Sequence, residues 1–228
     1  MVLRKTAVAL LLAGTAATAS AADRSFPVGG FQRVQATGSE DVTIVTGKAP
    51  SVVATGPSDR LDRLDIRVEG DTLKIGHKPG NWMSWGREDI RIRVTVPAVK
   101  GIKLAGSGNV ALDRGTGPEF SAELSGSGGL DIAQIDARSV LMDTSGSGNI
   151  AAAGKCVSAK VEISGSGDMS LVNLACQDVD VKISGSGNVA ARASTTANVR
   201  VSGSGDVKIV GGAHCTTKSS GSGNIACG

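Results

Sequence analysis

At 228 residues, 40% hydrophobic and only 2% aromatic, the chain holds enough apolar material for one sizeable core and almost no aromatic surface. The formal charge of +3 includes Arg4 and Lys5, and the remaining acids and bases are interspersed, so no nucleic-acid or anionic-membrane surface is expected. Two histidines and no tyrosine leave few candidates for acid–base catalysis or for stacking on sugar rings.

The chain opens with the layout of a secretory signal: Arg4 and Lys5, an apolar run from Ala7 to Ala13, and the small residues Ala19-Ser20-Ala21 before a cleavage point. Residues 1–22 are therefore expected to be removed, leaving an exported protein, periplasmic or extracellular. No later stretch approaches the ~20 consecutive apolar residues of a membrane span, and no cysteine follows the cleavage region to accept a lipid.

Residues 30–97 alternate in the manner of strands. The candidates are Phe31 to Ala36, Asp41 to Thr46, Ser51 to Ala54, Leu64 to Val68, Thr72 to Ile75 and Ile90 to Val96, with Glu69-Gly70-Asp71 as a turn. Between the last two, residues 77–86 concentrate both tryptophans, Trp82 and Trp85. They are read as packing over an open end of the core, with a contact loop for a partner or glycan as the functional alternative.

From residue 98 the chain is repetitive. Gly-Ser-Gly begins at Gly106, Gly126, Gly146, Gly165, Gly185, Gly203 and Gly221, a period of 18 to 20 residues that a flexible linker has no reason to hold. Before each tripeptide, pairs such as Val161/Ile163 and Val181/Ile183 mark one face; after it, pairs such as Val110/Leu112 and Val207/Ile209 begin a second alternation. Each unit thus reads as two short strands around a glycine corner. Two strands bury nothing alone, but copies stacked at about 4.8 Å form continuous apolar ladders. The fold expected is all-β: a parallel β-solenoid, right-handed β-helix-like, with about 20 residues per rung. One domain over 23–228 is expected, irregular over 30–97 and regular over 98–228, with Gly38-Ser39-Glu40-Asp41-Val42 as a degenerate first corner.

After each tripeptide stands Asn109, Gly129, Asn149, Asp168, Asn188, Asp206 or Asn224. No two aspartates are adjacent in that order, which suits a ladder in which like charges would meet at every rung. Cys156 and Cys176 each lie nine residues before the next tripeptide and would stack on adjacent rungs; Cys215 and Cys227 fall in the last repeat. In an oxidising compartment disulfides are the default for these four, and a zinc site, hinted at only by His214 beside Cys215, is the minor alternative.

Chemistry is sparse. The tripeptides lack the lysine and following helix of a phosphate loop. No G-x-S-x-G is present to seat a serine nucleophile beside His77 or His214. Asp168 and Asp206 are turn aspartates before they are calcium ligands, because the period is too long for a calcium-binding nonapeptide. Glu123, Asp143 and Glu162 share one offset before the corner and form an acidic row, read as a solvated face balanced by Lys160 and Lys182 rather than a glycosidase pair. No catalytic, cofactor or metal residues are assigned.

Taken with the signal and the upstream strands, the units Phe31-Gln32-Arg33-Val34, Gly38-Ser39-Glu40-Asp41-Val42, Leu64-Asp65-Ile66, Asp71-Thr72-Leu73-Lys74-Ile75 and Val94-Thr95-Val96-Pro97 make residues 30–226 resemble the putative auto-transporter adhesin, head GIN domain family of bacterial envelope proteins. The resemblance implies an exported β-helix-like domain and supplies no catalytic residues. The function expected is a non-enzymatic structural or interaction module whose partner is an unknown envelope protein or a glycan. The rivals are a carbohydrate-active enzyme on the same scaffold and an ion-stabilised adhesin.

Overall fold

The computed structural model describes residues 21–80 and 90–228. Its strands join one continuous, mainly parallel sheet that winds into a β-solenoid, as the period requires.

The regular part runs through β8 (Gly101–Gly106), β9 (Asn109–Leu112), β10 (Gly115–Gly126), β11 (Gly129–Gly146), β12 (Asn149–Gly165), β13 (Met169–Gly185), β14 (Val189–Gly203), β15 (Val207–Val210), β16 (His214–Gly221) and β17 (Ile225–Cys227). All neighbours pair in parallel, and corner lies on corner: Gly106, Gly126, Gly146, Gly165, Gly185, Gly203 and Gly221 are in register. The inward residues form the predicted ladders. Ile102, Ala122, Met142, Val161, Val181 and Val199 make one column and Leu104, Leu124, Thr144, Ile163, Ile183 and Val201 the next, none more than 3% exposed. Each large aliphatic side chain so buried contributes about 1.5–3 kcal/mol. Thr144 is the exception, its hydroxyl buried without a hydrogen-bond partner.

The two-strand reading of each unit needs correction. β11 runs unbroken through a third inward-facing segment that buries Ile135, Ala137 and Val140, so a turn has three sides. Small residues there (Ala137, Ala159, Ala193, Ala197) hide the strand signal.

The tripeptide itself is explained by the stacking. Its first glycine has φ between +121° and +144° at all seven repeats, a region closed to side chains. The carbonyls of Gly106, Gly126, Gly146 and Gly165 each accept both the Ser and the second Gly N–H of the rung above, as when Gly126 O accepts Ser147 N–H and Gly148 N–H at 2.9 Å each, and those of Gly185 and Gly203 accept the Ser N–H. A Cβ on either glycine would collide with a backbone carbonyl one rung below, so only the serine position is free to vary.

The irregular part is built differently. β2 (Arg33–Gly38) and β3 (Asp41–Thr46) form a rung whose Gly38 lies under Gly106, confirming the degenerate corner. This rung is not terminal. β4 (Ser51–Gly56), the short helix α1 (Ser58–Leu61) and the antiparallel hairpin β5 (Leu64–Glu69)–β6 (Thr72–His77) carry the chain over the end of the stack. β6 and β7 (Arg91–Val96) then pair in parallel on the outer side of β2 and β3, and β8 and β9 continue on the inner side. The rungs therefore do not stack in chain order: the rung at 72–96 precedes the rung at 33–46. β1 (Ala22–Phe26), not anticipated, closes this end by pairing antiparallel with β4, itself antiparallel to β7.

At the other end the inward positions above Val199 and Val201 are Thr217 and Ser219, both exposed, so the last rung presents polar atoms instead of an open core.

Candidate functional site

Both disulfides form. Cys156–Cys176 joins adjacent rungs with Cα atoms 4.5 Å apart, the rung separation itself, and lies inside the prism in a column continued by Ala193. Cys215–Cys227, Cα atoms 6.5 Å apart, ties β16 to β17 across the terminal rung. No cysteine is left free, which removes the zinc alternative at His214. Among the described residues no cluster of His, Cys, Asp or Glu is arranged to hold a metal, and no described helix is long and apolar enough to cross a membrane. Trp82 and Trp85 lie outside the described residues.

Side chains after the corner bond from rung to rung, starting at Asp41. Asn109 Nδ2 donates to Asp41 Oδ1 at 2.9 Å. Asn149 Oδ1 accepts the Asp168 N–H at 3.0 Å; Asp168 Oδ1 accepts the Asn188 N–H at 3.0 Å and its amide Nδ2 at 2.8 Å. Asn188 Oδ1 then accepts the Asp206 N–H at 3.0 Å, and Asp206 Oδ1 accepts the Asn224 N–H at 2.8 Å. Lower down the backbone does this work: the Gly129 and Asn149 N–H groups donate to Gly108 O and Gly128 O at 3.2 and 3.1 Å. Gly129 interrupts the ladder because it has no side chain to donate or accept. The carboxylates of Asp168 and Asp206 are thus occupied as rung-to-rung acceptors, with Asn188 between them.

Beside this ladder a second outward row reads Thr43, Ala111, Asp131, Ala151, Ser170, Ala190, Lys208 and Ala226. The two rows, with the strand backbone between them, line an open trough of about 1000 Å³ running from the Asp41 rung to the Asn224 rung. Its lining is mostly small side chains, a consequence of which residues stand outward at this one offset. From Asn149 onward the lining alternates by rung: Asn with Ala, then Asp with Ser or Lys. The ladder is legible in the sequence and the trough is not, because the small residues two positions further on carry no periodic signal until the turns are stacked.

Across the corner, Glu123, Asp143 and Glu162 do stack as one acidic row. Burial, then the carboxylates of Glu162 and Glu123 on the rungs either side, push the Asp143 carboxyl above its ordinary value. Lys103 Nζ lies 2.8 Å from Glu123 Oε2, and that hydrogen bond holds its ammonium above the usual lysine range. Lys160 Nζ lies 3.1 Å from Glu162 Oε2. At the N-terminal end, Lys74 and Arg67 hydrogen-bond Glu69 and hold it below the usual carboxylate range, and His77 Nε2 lies 2.9 Å from Glu40 Oε1.

The sequence profile of the family described as putative auto-transporter adhesin, head GIN domain matches residues 30–213. The chain belongs to this family. Solved structures share its architecture: a putative adhesin from Bacteroides fragilis superposes with a TM-score of 0.85 at 21% identity, covering 92% of this chain and 98% of that one. A putative lipid binding protein from Parabacteroides distasonis gives 0.74 at 20% identity over 92% and 97% of the two chains. A putative adhesin from Parabacteroides merdae gives 0.74 at 18% over 92% and 96%. At such identities the likeness is one of fold. No curated protein matches the chain.

Proposed function

We propose that this head GIN domain is an exported, non-enzymatic interaction module of the bacterial envelope, with residues 1–22 removed as a signal and 23–228 acting as one domain. The observation that carries the reading is the trough: a rigid, parallel-stacked surface eight rungs long, about 34 Å at ~4.8 Å per rung, that repeats one small-residue lining from Asp41 to Asn224. Such a surface suits an extended partner, a glycan chain or a strand of another envelope protein. The adhesin names of its structural relatives agree with this. Asp131 and Lys208 in the lining speak against a bare acyl chain as occupant.

A photo-crosslinker placed at Ala151 or Ala190 in intact cells should capture one defined partner, and the same group at the exposed Val157 on another side should not. With the crosslinker at Ala151, Ala111→Glu with Ala190→Glu should abolish the capture while leaving the melting temperature within a few degrees. Equal capture from both sides, or capture unchanged by the filled trough, would remove the reading.

The rival, a carbohydrate-active enzyme, rests on Asp143, a raised carboxyl between two others. It predicts turnover on a glycan panel that is lost in Asp143→Asn. The lysines already paired to Glu123 and Glu162 make the row a balanced charged surface instead.

A further inference from the structure

The side of the prism that carries the acidic row lies across the Gly-Ser-Gly corner from the trough and is independent of whatever the trough binds. Three outward rows cross it in register. The one nearest the corner is all hydroxyl: Ser125, Ser145, Ser164, Ser184, Ser202 and Ser220, every one exposed. Above Lys103, the middle row reads Glu123, Asp143, Glu162, Lys182, Arg200 and Lys218, three acids followed by three bases on consecutive rungs. In the third row Lys160 and Asp180 are adjacent, on the same two rungs as Glu162 and Lys182.

Stacking like charges on neighbouring rungs is unfavourable within one chain. Only part of it is offset internally, by Lys103 on Glu123, Lys160 on Glu162 and Arg200 on Asp180 at 3.2 Å. The block order has a symmetry that a monomer does not use. Reversed end to end about the step between Glu162 and Lys182, this six-rung block becomes its own charge complement, and so does the Lys160–Asp180 step beside it.

We propose that this face is a self-complementary interface on which a second copy of the chain packs antiparallel, about a twofold axis that lies in the interface, runs along the strands and passes between the Glu162 and Lys182 rungs. Glu123 then faces Lys218 of the other copy, Asp143 faces Arg200, Glu162 faces Lys182 and Lys160 faces Asp180, each contact made twice as an isologous interface requires. The serine row falls on itself, Ser164 opposite Ser184, with no side chain long enough to hold the two faces apart. A parallel arrangement would set acid on acid and base on base, so the charges also specify direction.

Six rungs at about 4.8 Å by six residues at about 3.3 Å give roughly 550 Å² per copy, about 1,100 Å² in all. That is at the lower edge of specific interfaces, so the dimer should be reversible, and because its contacts are charged and near solvent it should weaken with salt. It leaves both troughs open, which would let a dimer engage a repetitive partner twice.

Sedimentation of the mature chain at low ionic strength should show a concentration-dependent dimer that dissociates in molar salt. A basic variant (Asp143→Lys with Glu162→Lys) and an acidic variant (Lys182→Glu with Arg200→Glu) should each be monomeric. Mixed in equal amounts they should form a one-to-one dimer, because every reversed pair is again opposite in sign. Circular dichroism checks that each variant is folded. A wild-type chain that stays monomeric at low salt and high concentration, or two folded variants that fail to associate on mixing, overturns the proposal.

Discussion

The two parts of this solenoid solve the same problem by opposite means. From residue 98 onward each rung is locked to the one below through a glycine corner so tight that neither glycine tolerates a Cβ, and the period in the sequence is the direct record of that contact. In residues 30–97 the chain doubles back: a rung formed late in the sequence is laid outside an early one, and antiparallel strands finish the edge. Repetition propagates a stack but cannot end it, since every further rung leaves another edge of free N–H and C=O groups. The irregular region is the terminator, and it is irregular for that reason.

This contrast can be broken experimentally at several points. The largest effect is expected at the corners. Gly126→Ala places a methyl on the Gly106 carbonyl at φ +121° and should cost about 4 kcal/mol or more, while Gly47→Ala, at φ +83° with open space around it, should cost only about 1 kcal/mol. Urea unfolding of the two variants measures the difference directly; equal losses would mean that the corner contact is not what fixes the repeat.

Next come the disulfides. Replacing Cys156 and Cys176 by Ala should lower global stability by about 3 kcal/mol, the chain-entropy value for a loop of this order. The same change at Cys215 and Cys227 should leave the global transition almost untouched and raise amide exchange only in β16 and β17, because that bridge ties a rung whose inward positions, Thr217 and Ser219, are polar and exposed.

A smaller contrast separates the upper and lower corners. Asn188→Ala removes the acceptor of the Asp206 N–H and a donor to Asp168, and should cost about 1 kcal/mol. Asn109→Ala should cost less, because the N–H groups of the next rungs are already satisfied by Gly108 O and Gly128 O. In the core, Thr144→Val removes a buried unpaired hydroxyl from an otherwise aliphatic column and should raise stability by about 1 kcal/mol in the same urea assay.

The smallest effect is a pH dependence at Asp143. Its pKa is higher folded than unfolded, so the stability associated with its protonated form is complete below the unfolded value and is lost as pH rises through the folded one. Asp143→Asn should melt with the parent in acid and above it at neutral pH, measured at concentrations where the chain is monomeric. A variant that melts below the parent at neutral pH would show that Lys160 and Lys103 outweigh the flanking acids.

Much of this was legible in one dimension because a solenoid translates its contacts into a period. The strand at Asp41 to Thr46, the corner ladder from Asn109 to Asn224 and the Cys156–Cys176 pair each follow from residues meeting their own copies one turn later. The third side of each turn was not legible, because Ala137, Ala159 and Ala197 carry little apolar contrast, nor was the outward alternation of Ala151, Ser170, Ala190 and Lys208. The sequence by itself determined the rung length, the glycine corners and the class of fold, all of them local or periodic properties. Only the tertiary structure decided the order in which the first rungs stack, the trough and the charge-block face, because those depend on which turn lies against which, and the chain between residues 47 and 100 does not stack in the order in which it is written.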